Sequence, residues 1–168
     1  MPVAPGEKVL ASAETVDGRL VAGTRDALYL PPPVAAPCPV EGASGPAPVR
    51  LPWEEVESAD WDQEASVLRV REVGSWGEHR VQHVLALDHS GLFLQLVRER
   101  VTASVVLQRH VRVDGRRGLR VIARRAPRGD RPIAWFYEFD EGVDPADPFV
   151  RQVAEDALTA ARQELGEP

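Results

Sequence analysis

Cysteine is nearly missing from this chain: Cys38 is the only one in 168 residues. That excludes an intramolecular disulfide framework and a cysteine-rich zinc site. Cys38 itself lies in a proline-rich stretch and reads as an accessible spectator thiol. Lysine is as scarce, since Lys8 stands alone and nineteen of the twenty basic residues are arginine. Arginine offers anions a rigid bidentate fork, but codon bias in a GC-rich genome produces the same usage and suits the many Ala, Val, Pro, Gly and Asp. No apolar run approaches the roughly 20 residues that cross a bilayer. Met1–Gly6 has neither the basic nor the apolar region of a secretory signal, so the expected compartment is the cytoplasm.

Recurrent catalytic signatures are absent too. There is no Gly-x-Ser-x-Gly elbow, no phosphate-binding Walker loop, no Rossmann glycine fingerprint and no His-Glu-x-x-His. His79, His83, His89 and His110 do not join cysteines or carboxylates at zinc-ligand spacing. These gaps predict no enzyme, no cofactor and no metal.

What the chain does have is a lopsided charge map. Residues 98–131 hold eleven arginines against Glu99, Asp114 and Asp130, a net +8 inside a chain whose total is −6. Such a segment either meets an external anion or is neutralised internally. Two acidic runs can supply internal partners: Glu54, Glu55, Glu57, Asp60, Asp62 and Glu64, then Glu138, Asp140, Glu141, Asp144 and Asp147. Arg116, Arg117, Arg120 and Arg124 are the candidate anion-binding residues, the first two in an Asp114-Gly115 turn and the others on one strand face around Ile122. Nucleic acid is disfavoured, because the basic segment lacks aromatics other than His110 on which bases would stack.

The order of elements is legible from periodicity. Glu7–Thr15 precedes Asp17-Gly18, a hairpin signal, followed by strands Leu20–Thr24 and Ala27–Leu30. Residues 31–48 contain seven prolines and one charge, which predicts a long mobile surface loop. Strands Val49–Trp53, Val56–Trp61, Ser66–Val73 and Val81–Asp88 come next, with a Gly74–Gly77 turn before the last. Trp76 at that turn is a candidate interface anchor, although it is equally placed to fold back over the sheet. Trp53 and Trp61 are expected in the core. Phe93, Leu96, Val97, Val101, Ser104 and Val105 recur at helical spacing, predicting a helix over 90–108. Gly118–Arg125 and Ile133–Asp140 predict a late hairpin. Asp147, Pro148 and an apolar stripe through Leu165 predict a terminal helix stopped by Gly166.

The expected class is α+β: one domain, an antiparallel curled sheet or half-open barrel with an internal and a C-terminal helix, and an extra hairpin plus helix at 118–166. The early strands resemble the bacterial pleckstrin-homology-like domains and their GRAM-like relatives. The carrying residues are Gly6-Glu7, Thr24–Leu30, Leu51-Pro52-Trp53-Glu54-Glu55-Val56 and Val67–Val70. The resemblance implies a sheet closed by a helix, and binding of lipid, peptide or protein rather than catalysis. It lends no functional residue, because Asp17-Gly18-Arg19 is too short to be a basic lipid loop. The leading expectation is a non-catalytic interaction or adaptor domain for an unknown protein partner. The alternatives are a binder of anionic lipid or another anion through the arginines, and a small enzyme of unrecognised type. The oligomeric state is open.

Overall fold

The computed structural model describes residues 2–32, 47–74, 81–88, 90–129 and 131–167. Cys38, Trp76, His79, His89 and residues 33–46 of the 31–48 stretch lie outside the described residues. The protein is α+β: the described residues form a seven-stranded antiparallel sheet, a three-stranded sheet and two long helices.

The first seven strands are β1 (Val9–Thr15), β2 (Leu20–Thr24), β3 (Ala27–Leu30), β4 (Val49–Pro52), β5 (Val56–Asp62), β6 (Val67–Glu72) and β7 (Gln82–Asp88). The Asp17-Gly18 signal makes the expected hairpin. Gly18 holds φ +78°, a backbone state that glycine adopts without a Cβ clash, and Ala13 faces Val21 across the strands. The strand order is β4-β3-β2-β1-β7-β6-β5, so β4 and β5 occupy opposite ends. Yet a single 3-10 turn, Trp53–Glu55, joins them. A flat sheet of seven strands would hold its edges about 29 Å apart, whereas the link from Pro52 to Val56 reaches at most about 14 Å. The sheet must therefore curl until its ends approach. Leu28 and Leu51 from one end accordingly share a core with Val56, Leu68 and Val70 from the other.

Helix α1 (Gly91–Ser104) crosses this concave face and adds Phe93 and Val97 to the core. Close approach to β2 depends on Gly23, where a Cβ would stand 2.6 Å from Leu96 Cδ2. The helix is shorter than its periodicity predicts. Val105 leaves helical geometry and opens strand β8 (Val105–Asp114). The run Val105-Val106 is β-branched, which disfavours helix and suits a pleated strand, and pairing with β9 (Arg117–Arg124) secures the outcome. One strand was thus hidden inside the helical stripe. The predicted late hairpin is present as β9 and β10 (Ala134–Phe139).

The second sheet runs β10-β9-β8. Helix α2 (Pro148–Glu164) lies on it, capped by the Asp147 side chain accepting from Phe149 N. Leu119 and Val121 pack there against Val150, Ala154, Ala157 and Ala161, a core distinct from the first. Leu158 is only half-buried beside them. Among the described residues no helix is long and apolar enough to cross a membrane.

Candidate functional site

Strand β5 ends the seven-strand order, and among the described residues its pairing partner is β6 alone, so its other edge is free there. Beyond the bulge between Val56 and Ser58, alternation turns Ala59 and Trp61 inward while Asp60 and Asp62 face outward. Inward, Ala59 and Trp61 meet Leu68 of β6 and Leu94, Gln95, Val97 and Arg98 of α1 around a largely apolar groove of about 460 Å³. Trp61 does not join the sealed core that the sequence suggested for it. It is half-buried, with part of the indole lining the groove. Trp53 does go to the core, fully buried, its Nε1 donating to Thr24 O at 3.1 Å. The difference is positional: Trp53 lies on the closing turn under α1, whereas Trp61 lies near the open end of the edge strand.

A second concavity, about 210 Å³ and polar, sits where the two sheets meet. Its rim carries three acid–arginine pairs. Glu7 Oε1 accepts from Arg50 Nε and Nη2 at 2.9 and 2.6 Å. Arg128 Nε and Nη2 donate to Asp26 Oδ1 and Oδ2 at 2.5 and 2.6 Å, and Arg131 Nη1 donates to Glu54 Oε1 at 3.2 Å. Burial alone would raise the Glu7 carboxyl pKa, but hydrogen bonds from Thr24, Arg50 and Tyr29 outweigh it and hold the group below its ordinary value. Glu55 shifts upward, first through burial and then through the adjacent Glu54. Each arginine of this rim is engaged, so the cleft is an interlock of the two units.

The arginine-rich segment does not form one surface. Arg124 is the clearest departure from expectation. It is 5% exposed, with Nη1 donating to Ser104 Oγ at 2.8 Å and Nη2 donating to Glu57 O at 2.7 Å. Burial lowers its pKa, opposed by the nearby charges of Glu57 and Glu138. Arg124 is thus a staple onto the β5 bulge and is closed to an external anion. Arg120 lies between Glu138 at 3.4 Å and Asp140 at 3.6 Å. Arg109 pairs with Glu164. Arg116 and Arg117 are exposed at the β8–β9 turn and make no ion pair among the described residues. They sit one strand length from Arg124, about 23 Å at 3.3 Å per residue.

The second acidic run folds beside that turn. Asp140 N donates to Gly118 O at 2.9 Å, and the Arg117 guanidinium lies against Gly142. Asp140 Oδ2 accepts from Gly118 N at 2.8 Å and meets His110 Nε2 at 2.9 Å. The His110 contact leads in holding the Asp140 carboxyl below its usual pKa, followed by Gly118 N–H. His83 is similarly occupied by Glu72 at 2.6 Å. Among the described residues no three metal-ligating side chains converge.

The four arginines singled out from the sequence therefore do not converge on one surface, and the apolar groove lies elsewhere. The groove lies on β5 and α1, and its only linear trace is the alternation Ala59-Asp60-Trp61-Asp62. No family model, curated protein or solved structure matches the chain significantly.

Proposed function

We propose that the protein is a non-catalytic interaction module with a pleckstrin-homology-like sheet, and that it binds an extended segment of a partner protein as an added strand on β5. The curled seven-strand sheet with α1 across it supports the architectural part of this reading, since that is the arrangement the early motifs imply. One observation carries the functional part: the free edge of β5 runs directly beside an apolar groove that includes the half-buried Trp61. An unpaired strand edge presents a row of backbone donors and acceptors. A groove alongside it receives alternate side chains of whatever strand is added, so main-chain bonds supply affinity and the groove supplies selection.

Displaying random peptides against the full chain tests the reading. Enriched sequences are expected to bind at least tenfold more weakly to Trp61→Ala and Ala59→Arg, and to slow amide exchange at residues 58–62. Binding that is indifferent to both substitutions, or a selection that enriches nothing, would remove this function from the groove.

A further inference from the structure

The outer face of β5 carries two aspartates beside its edge. Asp60 and Asp62 project there two residues apart, roughly 7 Å along the strand. Both are accessible, with side-chain exposures of 59% and 36%. On the β6 side each has one arginine: Asp62 meets Arg69 at 3.4 Å, and Asp60 meets Arg71 at 3.8 Å. On the other side lies the free edge. The alternating ladder of arginine and aspartate therefore stops at an acidic column, where an added strand would place its own residues directly opposite. Opposite charges across paired strands stabilise and like charges repel.

Taken with the strand-addition reading, on which it rests, we infer that the partner segment is an extended stretch alternating basic and apolar residues. Lysine or arginine faces Asp60 and Asp62 on the outer side, and the intervening apolar side chains enter the groove between Trp61 and α1. Arg98 stands on the groove side, with α1, so it does not oppose the outer basic residues. Arg124 limits the segment at its other end. Its guanidinium already holds Glu57 O, so strand pairing begins at Ser58, leaving Ser58–Asp62 as the reading frame.

Charged edge residues have a second use, deterring edge-to-edge aggregation, and the experiment separates the two. Fluorescence anisotropy would compare three labelled nine-residue peptides that alternate valine with lysine, with glutamate or with threonine. The lysine peptide is expected to bind at least tenfold more tightly than the glutamate peptide at low salt, with the preference shrinking at high salt as exposed charges are screened. Asp60→Lys with Asp62→Lys should reverse the order. Asp60→Asn with Asp62→Asn should abolish the preference while sparing the Arg69 and Arg71 neighbourhood from repulsion. Equal binding of all three peptides, protecting residues 58–62, would overturn the charge inference and leave strand addition standing. Failure of all three, with no protected amides, would overturn both and leave the aspartates as edge protection. Tighter binding of the glutamate peptide would overturn the inference outright.

Discussion

The two sheets of this protein bury their faces by different means. The seven-stranded sheet closes over large side chains drawn from residues 13 to 97, including Trp53, Phe93, Leu28 and Leu68. The three-stranded sheet is covered by a helix whose buried stripe is mostly alanine: Ala154, Ala157 and Ala161, with Val150. Alanine lets a helix sit close to a sheet but removes little apolar area, and burial stabilises roughly in proportion to area. The first unit therefore holds the larger share of the core energy, while the second leans on arginine contacts to the first. That contrast explains where the arginines went. Arg124, Arg128 and Arg131 are fastened across the junction, so three of the segment's eleven arginines act as attachments.

Substitutions can break this contrast or sharpen it. The largest effect is expected in the first core, where Trp53→Ala should cost about 3–5 kcal/mol, the range for emptying a large aromatic site, read by urea unfolding. Leu158→Ala on α2 is the internal control and should cost clearly less, because Leu158 is half-buried. Equal costs would mean that the two cores carry similar weight.

An intermediate effect belongs to Glu7. Glu7→Gln should cost about 1.5–3 kcal/mol at neutral pH, the range for hydrogen bonds to a charged group. The folded pKa of Glu7 is depressed, so its contribution is complete above the unfolded value of about 4.3 and fades as pH falls through the folded pKa. The gap between wild type and variant should therefore narrow between pH 7 and pH 3. A gap that stays constant would show that Glu7 acts through packing alone.

The smallest change in stability is expected at the junction. Arg124→Met loses two hydrogen bonds and leaves Glu57 O without that donor, offset in part by relieving the burial of a cation, so the net cost should be about 1 kcal/mol, the typical worth of one hydrogen bond. Its signature is local: faster amide exchange around Glu57 and Ser58, without a matching rise in the core strands. Global destabilisation instead would make Arg124 a core residue of the whole molecule.

Much of the fold is local and so is legible in the sequence. Hairpin chemistry at Asp17-Gly18, the cap at Asp147-Pro148 and the alternation of β6 are short-range steric and hydrogen-bonding facts. Strand β8 was not legible, because Val101, Ser104 and Val105 satisfy a helical spacing up to the residue where pairing with β9 takes over. Placement of the acidic runs beside the arginines was anticipated only as a possibility of charge supply.

The amino-acid order alone settled composition class, most element boundaries, the terminal helix with its alanine stripe, and the absence of familiar catalytic motifs. Curling of the sheet, burial of Arg124 and exposure of the β5 edge were settled by long-range contact. A side chain's pattern records which face it prefers, whereas an edge or a groove exists only relative to elements distant in sequence. Ala59 and Trp61 had to be set beside Leu94 and Arg98 before their strand had a groove to border.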